Sequence, residues 1–454
     1  MTTSDLATPG APPALRTLPA VGITLAASLV VIAVLGLGGL SLPGMAALAM
    51  IAVAGLAALT ATAPQALLLI GPALIPLAVV GRVFPTEIVF LLFMSLAVLR
   101  MFEIRAPWAL KLDAIEVANL ALVSWAVFTG LWCSQRAGYF YGVHRLVLGA
   151  LSLWLGFRLV RLVQRHWFEA GLVAMAASLT AATFRQRMSF GFSEKRLMLN
   201  RASATDLGWG TSNFIATLLL LLSPPLLEIA LRSRNRTLRL IAWPTLAAIA
   251  LLQVLIASRA ATVLFVFGLL VQLGWGRIRY GWLLLVAAAG GLAGLLISPL
   301  GEGLLARFTN LRDLGSMVIR LWYWREAWQR TLDNLPWGIG LGEGVTYADK
   351  LQNIDPHDYW LAVSSELGIP GLVLWIIVLV LLYRRLVRVA HTPGWVSVGR
   401  ALLIAFWLSQ LHTLVEPTFQ GLNYQYLYFW LMGGYLGYAS FAAEPVPAAV
   451  ISRR

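Results

Sequence analysis

The sequence predicts an all-α membrane protein that crosses the bilayer many times, and three observations support this. Of its 454 residues, 59% are hydrophobic and only 12% are charged, with a mean hydropathy of +0.79, a composition typical of integral membrane proteins. Many apolar runs reach about 17 to 22 residues, enough to cross a hydrocarbon core of about 30 Å as helix. The ten-residue alternating segments of a membrane β-barrel are not visible in the sequence.

The apolar runs define up to fourteen candidate spans, and the earliest are the least distinct. Two of these are separated only by Thr62, Ala63 and Pro64, and treating them as short or re-entrant helices lowers the count to about twelve. Either even number places both chain termini on one side of the membrane. The candidate spans are 18–39, 43–62, 64–81, 85–102, 115–134, 143–162, 167–184, 213–231, 239–258, 260–276, 282–299, 371–383, 400–416 and 424–442.

Basic residues recur at every second connection, and this pattern predicts the orientation. Lysine and arginine are enriched in short cytoplasmic loops, so these connections are expected in the cytoplasm and 185–212 and 300–370 outside it. The net charge of +14 then lies mainly beside anionic lipid. The basic connections contain Arg100, Arg105 and Lys111; Arg158, Arg161 and Arg165; Arg232, Arg234, Arg236 and Arg239; Arg277 and Arg279; and Arg384, Arg385 and Arg388.

This reading divides the chain into five parts. Residues 1–17 are expected to form a disordered cytoplasmic tail, because no small-residue cleavage site follows them. Residues 18–299 form a helix bundle with the outer segment 185–212. Residues 300–370 form a large outer loop domain, 371–442 the last membrane helices, and 443–454 a cytoplasmic tail. The single cysteine, Cys133, excludes an intramolecular disulfide.

The polar segment between Pro299 and Pro370 is where we expect the chemistry. It contains nine of the chain's 20 carboxylates together with five arginines and one lysine, and long loops of this kind usually carry function. Its glycine-rich GIGLGEG lacks the helix and lysine of a phosphate cradle and indicates a flexible turn. The aromatic run Trp322, Tyr323, Trp324 and Trp328 is typical of an interfacial belt, with a sugar-binding platform as the alternative.

Arginines on the outer side point to an anionic ligand. Arg185, Arg187, Arg196 and Arg201 lie in a region with few carboxylates, where orientation rules do not call for positive charge. Arg259 separates two apolar runs, and an arginine at mid-bilayer costs about 2.5 to 3.5 kcal/mol. It is either an interfacial residue in a hairpin turn or a guanidinium that grips phosphate from an outward cavity. A phosphorylated lipid fits such a face better than nucleic acid does.

His357 is the candidate proton acceptor. Pro356 precedes it, and the next ten residues predict a short helix that ends at Gly368. An imidazole with a pKa near its usual value of about 6.5 accepts protons at neutral pH. His412, within an apolar span, is interpreted as a packing residue. One histidine among adjacent carboxylates has poor spacing for a metal site, so Asp355 is instead a candidate for orienting the imidazole.

These motifs resemble the O-antigen ligase and polymerase superfamily. The resemblance rests on RLWYWREAW from Arg320, LPWGIGLGE from Leu335, HDYWLAVSSELGIPG from His357, SRAA from Ser258 and GWGTSNFIA around Asn213. It covers roughly residues 115–440. It implies a GT-C-like membrane glycosyltransferase that transfers a glycan from undecaprenyl pyrophosphate on the periplasmic face of the bacterial inner membrane. In the ligase branch the acceptor is lipid A-core and the product is lipopolysaccharide.

The resemblance also implies roles for individual residues. His357 would activate the acceptor hydroxyl, and Arg259 and Arg201 would hold the pyrophosphate. Arg185, Arg187 or Arg196 could take the place of Arg201, whose spacing to Asn213 is loose. Asp358 stands where many relatives carry Asn or Ser, which leaves the partner of the histidine open. The remaining implied roles are loop support, assigned to Arg320 and Glu366, with Asp355 beside the histidine.

No cofactor and no metal is expected. Transfer from a lipid pyrophosphate needs a base and positive charge for the leaving diphosphate; the sequence has no D-x-D, and arginines can supply that charge. Within the superfamily, an O-antigen polymerase or a protein O-oligosaccharyltransferase remains open. A lipid-linked glycan flippase or anion transporter is the alternative from another class, although ionisable residues are few at mid-depth and no inverted repeat is visible.

Overall fold

The structure is a computed structural model that describes residues 112–162, 165–190, 212–256, 258–275, 314–342, 356–420 and 422–443. These residues contain ten α-helices and no β-strand. The predictions for the two terminal tails and for spans before residue 112 lie outside the described residues. The helices are α1 (Ala114–Phe128), α2 (Arg136–Leu162), α3 (Arg165–Phe190), α4 (Ser212–Arg232), α5 (Arg236–Leu255), α6 (Arg259–Trp275), α7 (Leu314–Asp333), α8 (Tyr359–His391), α9 (Val396–Thr413) and α10 (Leu422–Ala443).

Six of the described helices, α1 to α5 and α8, are long and apolar enough to cross a membrane. The all-helical class is therefore confirmed for this part of the chain, whereas the total of about twelve to fourteen spans stays a prediction. Helix α6 is apolar and slightly shorter. Apolar side chains such as Val263, Phe267, Val373 and Ile377 remain exposed on α6 and α8, as expected of surfaces that face lipid.

Helix α4 lies at the centre of the bundle. It packs against α3, α5, α6 and α9, and its residues from Ile215 to Ala230 are almost all buried. Pro224 and Pro225 interrupt its hydrogen-bond ladder, because proline has no N–H to donate. The carbonyl of Leu220 that Pro224 leaves without a backbone donor accepts a hydrogen bond from Ser223 Oγ at 2.9 Å. A proline pair is thus accommodated without an unsatisfied carbonyl at Leu220.

Successive helices run in opposite directions, so the helix ends gather into two groups. At one end, Arg158 pairs with Glu116, Arg385 pairs with Asp113, and Arg165 lies over the Trp395 ring. We call this the arginine end. The other end holds Asn213, His357 and Glu416, and we call it the histidine end. Arg158, Arg165 and Arg385, from the predicted basic connections, thus lie at one end of the described bundle. The side of the membrane that this end faces stays a prediction.

Helix α8 is kinked near its start. Its short first part, from Tyr359, ends at Gly368, where φ is 66° and ψ is −166°, so the expected helix end lies at the expected glycine. A Cβ on Gly368 would lie 2.2 Å from the Pro336 carbonyl oxygen. The Gly340 and Gly342 amides bond the Glu366 carbonyl and carboxylate. The described part of the glycine-rich turn is therefore buried and anchored, and the expectation that it is flexible is wrong.

Candidate active site

The centre of the candidate site is the carboxylate of Glu416, in the connection between α9 and α10. Its Oε1 accepts hydrogen bonds from Asn213 Nδ2 at 2.6 Å and from Arg320 Nη2 at 2.5 Å. Its Oε2 faces His357 Nδ1 at 3.6 Å, an ion-pair distance. Only 8% of the Glu416 side chain is exposed. One buried carboxylate thus joins the start of α4, helix α7 and His357, two residues before α8.

Burial and charge oppose each other at Glu416. Burial alone would raise the pKa of this carboxyl, but contact with His357 and the positive charge of Arg320 outweigh it and lower the pKa below 4.5. Glu416 is therefore ionised at neutral pH. An ionised buried carboxylate is stable only with paired donors or charges, and its three partners supply them.

His357 is positioned by its backbone as well as by Glu416. Its φ of 49° is the only positive φ of a non-glycine residue among those the structure describes, a conformation that is uncommon outside glycine and is often found at functional sites. Asp358 caps α8, accepting from the Trp360 and Leu361 amides at 2.8 and 3.1 Å. The carboxylate that faces the imidazole is therefore Glu416, whereas the carboxylate of Asp358 caps the N-terminus of α8.

The His357 side chain is one-third exposed. Its Nδ1 is buried and lies on the Glu416 side of the ring. A carboxylate at Nδ1 favours the tautomer with its proton there, and Nε2 is then the basic nitrogen of the ring. The Tyr323 ring lies 6.0 Å from the imidazole, centroid to centroid. The geometry suits a general base at the end of a helix bundle.

A second histidine, the fully buried His412, supports the cluster. His412 Nδ1 lies 3.0 Å from both Thr217 Oγ1 and Thr418 Oγ1. The Thr217 hydroxyl also bonds the Asn213 carbonyl, and the Glu416 amide bonds the His412 carbonyl. His412 therefore ties the first turn of α4 to the turn that carries Glu416. Its interpretation as a packing residue omitted this connection.

Arg259, one of the arginines implied as pyrophosphate ligands, lies at the histidine end. Arg259 is the first residue of α6, which packs on α4 and α9, and its side chain is partly buried. Thr262 Oγ1 bonds the Gln253 carbonyl, and Gln253 Nε2 bonds the Ala216 carbonyl. Hydrogen bonds therefore connect the first turn of α6 to the first turn of α4, where Asn213 lies.

The remaining predicted site residues divide into three groups. Arg187, near the end of α3, is 1% exposed, and Arg185 is exposed on the same helix. Arg320 and Glu366 make the contacts described above. Arg196, Arg201 and Asp355 lie outside the described residues, so their predicted roles stay predictions. Within the described part of the chain, no group of three His, Cys, Asp or Glu side chains is arranged to hold a metal ion.

Sequence reasoning missed Glu416 and the part that Asn213 plays. The sequence did point to Glu416, because the predicted span 400–416 ends with it. An ionisable side chain within a membrane span costs free energy and usually has a function. It was overlooked because Glu416 lies 46 residues beyond Pro370, the end of the polar segment in which we expected the chemistry.

Comparison with known proteins agrees with the motif resemblance. Residues 244–376 match the family profile described as O-antigen ligase. These residues are therefore similar to the O-antigen ligase family, which supports the resemblance to the O-antigen ligase and polymerase superfamily. The match runs from α5 into α8, just under a third of the chain, and contains Arg259, Arg320 and His357. Asn213 and Glu416 lie outside it and join the site only through the fold. No curated protein matches the chain.

Proposed function

We propose that this protein is an O-antigen ligase. It transfers O-antigen polysaccharide from undecaprenyl pyrophosphate to lipid A-core on the periplasmic face of the bacterial inner membrane. The observation that carries the proposal is the shared Glu416 carboxylate, which holds His357 beside Arg320 at the end of the bundle opposite the basic loops. The positive-inside rule assigns those loops to the cytoplasm, so the histidine end would face the periplasm.

The proposed reaction begins at His357. Nε2 accepts the proton of an acceptor hydroxyl while that oxygen attacks the anomeric carbon of the donor sugar. The bond between this carbon and the pyrophosphate oxygen breaks, and undecaprenyl pyrophosphate leaves with the bonding electrons. Glu416 holds the imidazole in its proton-accepting tautomer and stabilises the imidazolium that forms, as carboxylates do in other histidine-dependent sites.

The departing diphosphate needs positive charge. We assign this to Arg259 and Arg201, with Arg187, Arg185 and Arg196 as the further candidates, because guanidinium groups bind phosphate oxygens bidentately. Charge stabilisation of this kind is often the largest catalytic contribution. The enzyme would then be metal-independent, and activity abolished by EDTA and restored by magnesium or manganese would contradict this part of the proposal.

The donor-binding role is tested with Arg259→Ala. We expect weaker binding of undecaprenyl-pyrophosphate glycan and slower transfer, because a guanidinium that meets the diphosphate would be lost. Arg239→Ala, at the arginine end, is the matched control and should leave both unchanged. Unchanged donor affinity and turnover in Arg259→Ala would assign this arginine to helix positioning alone.

The alternatives within the superfamily differ in acceptor. Purified protein given carrier-linked O antigen and lipid A-core should make lipopolysaccharide. Longer carrier-linked glycan without that product would indicate an O-antigen polymerase, and glycan on a protein acceptor would indicate a protein O-oligosaccharyltransferase. Translocation of the carrier in vesicles without acceptor would indicate a flippase or transporter.

A further inference from the structure

Helix α7 presents an exposed apolar face. Five of its large apolar side chains are 45% to 63% exposed, whereas the outer face of a helix in water is normally polar. At 3.6 residues per turn, these five side chains fall within about 120° of one another around the helix. The exposed Arg325 lies on the same side. The five residues are Val318, Leu321, Trp322, Trp328 and Leu332.

The opposite face of α7 packs along the first part of α8. The Tyr323 ring lies beside the His357 imidazole, and Thr331 Oγ1 lies 3.2 Å from Ser364 Oγ. Both contacts advance along the two chains together, so α7 and the first part of α8 run side by side in the same direction. The apolar face of α7 therefore points away from the candidate active site.

The first part of α8 folds back along the second part. The Tyr359 and Trp375 rings are 5.3 Å apart, centroid to centroid, whereas residues sixteen positions apart in one straight helix are about 24 Å apart. The chain reverses at Gly368, which has non-helical backbone angles. Next to Trp375, the apolar side chains of Ile376 and Ile377 are exposed on a helix long enough to span the membrane. Helix α7 thus lies beside the lipid-facing part of α8, and not above it.

The exposed apolar surface continues from α7 to a second candidate span. Just beyond α7, the exposed Trp337 ring lies 5.8 Å from the ring of Trp125 in α1. Trp125 Nε1 donates to the Leu367 carbonyl at 2.7 Å, and Phe128, in the last turn of α1, is exposed. Because α1 is also long and apolar enough to cross the membrane, lipid that covers α1 and α8 reaches the outer face of α7 without a break.

We propose that α7 is embedded in the membrane leaflet at the histidine end, with its apolar face against lipid. Tryptophan is enriched where helices meet the lipid head groups, and a long arginine such as Arg325 extends its charge to that level. Amphipathic helices of this composition lie within the membrane interface. Trp322 and Trp328 then contact lipid and do not form a sugar-binding platform. The proposal concerns the position of the helix, so it does not depend on which reaction the site catalyses.

Spin labels in the full-length protein test this position. The single cysteine, Cys133, is replaced by alanine, and Leu321→Cys or Leu332→Cys then provides one nitroxide site in nanodiscs of phosphatidylethanolamine and phosphatidylglycerol. Oxygen concentrates in lipid and a charged nickel chelate in water, so the ratio of their collision rates with the label reports its surroundings. Val373→Cys, on the exposed face of α8, is the lipid control, and Ser134→Cys, exposed between α1 and α2, is the water control.

The ratio of oxygen to nickel collisions at both α7 sites should be several-fold higher than at the Ser134 site and close to that at the Val373 site. The Leu321 label should lie deeper than the Leu332 label, because Tyr323 lies beside the folded-back end of α8. If Leu321→Cys does not fold, as judged by size-exclusion chromatography, Val318→Cys replaces it. Labels on α7 that meet nickel as often as the Ser134 label would place this face in water and overturn the proposal. Labels that meet neither reagent would show that protein covers the face, and this outcome would overturn it as well.

Discussion

The two ends of the helix bundle use charge differently. At the arginine end each carboxylate has its own cation: Glu116 pairs with Arg158, Asp113 with Arg385 and Glu169 with Arg165. At the histidine end a single carboxylate, Glu416, serves Arg320, Asn213 and His357 together.

This difference separates structural from functional charge. Each of these ion pairs joins one carboxylate to one cation, either between two helices or, for Glu169 and Arg165, within one helix, so its loss has a local effect. A shared carboxylate couples three segments that are remote in sequence, so a change in Glu416 moves the histidine, the arginine and the start of α4 at once. We therefore expect substitutions at the histidine end to remove activity and those at the arginine end to change mainly stability.

The largest expected effect is the loss of the proton acceptor. His357→Ala should lower transfer by about 10²- to 10⁴-fold, the usual contribution of a general base, while donor binding persists. Transfer of radiolabelled or fluorescent glycan to lipid A-core measures it. His391→Ala, at the exposed end of α8 on the arginine side, is the matched control. Full activity in His357→Ala would remove this residue from the mechanism.

The next effect tests the shared carboxylate. Glu416→Gln should lower transfer by about 10- to 100-fold, the scale seen when a group that orients a functional imidazole is lost, whereas Glu169→Gln at the arginine end should leave transfer near wild type. Equal transfer rates in the two variants would contradict the claim that the carboxylate at the histidine end matters more for activity than those at the arginine end.

The stability difference between wild type and Glu416→Gln should also depend on pH. The pKa of Glu416 is lowered below 4.5, so the folded state binds its proton less readily than the unfolded state. The ionised carboxylate therefore stabilises the fold above about pH 4.5 and loses this effect as the pH falls through its folded pKa. The melting-temperature gap between wild type and Glu416→Gln should narrow below pH 4.5. A gap that widens on acidification would contradict the ion-pair assignment.

Two glycines with positive φ, one at each end of the bundle, allow the backbone packing of the two ends to be compared. Gly368, at the histidine end, has φ 66° and its added Cβ would meet the Pro336 oxygen at 2.2 Å. Gly394, at the arginine end, has φ 79° and nothing within 4 Å. Gly394→Ala should cost only the strain of about 1 kcal/mol, and Gly368→Ala clearly more, because backbone must also move. Thermal unfolding in detergent measures both, and equal losses would contradict the packed turn.

The smallest effect concerns Asp358. Burial raises the pKa of Asp358 above its usual value of 3.8, despite the hydrogen bonds from the Leu361 and Trp360 amides. The ionised carboxylate therefore destabilises the folded state at neutral pH, and this destabilisation disappears below pH 3.8, where the carboxyl is protonated in both the folded and the unfolded state. Asp358→Asn keeps a capping oxygen and should be neutral or slightly stabilising at pH 7. Asp358→Ala should lose about 1 kcal/mol with the cap. A strong loss of transfer in Asp358→Asn would give this carboxylate a role at the imidazole.

The sequence predicted much of the fold because membrane helices leave strong local signals. Apolar length identified the helices, and Pro356 with Gly368 marked the short helix that carries His357. The packing of the glycine-rich turn was missed, because the amides of Gly340 and Gly342 find their acceptors on Glu366, more than twenty residues away. Local composition predicts that such a turn is flexible, and only the fold shows which residues it contacts.

The candidate site was predicted in part for the same reason. His357 and Arg259 stand out locally, as a histidine before a helix and an arginine between apolar runs. Glu416 and Asn213 join them only because α4, α8 and α9 meet at one end of the bundle. Sequence separation of about 200 residues between Asn213 and Glu416 hides a contact of 2.6 Å.

The most direct test of the account is transfer by the purified protein. Wild type is reconstituted in lipid with undecaprenyl-pyrophosphate O antigen and lipid A-core, in EDTA, beside His357→Ala and Glu416→Gln. The account predicts lipopolysaccharide from wild type, none detectable from His357→Ala and a reduced amount from Glu416→Gln. Lipopolysaccharide formed equally well by all three proteins would contradict the claim that the Glu416-held imidazole carries out the transfer.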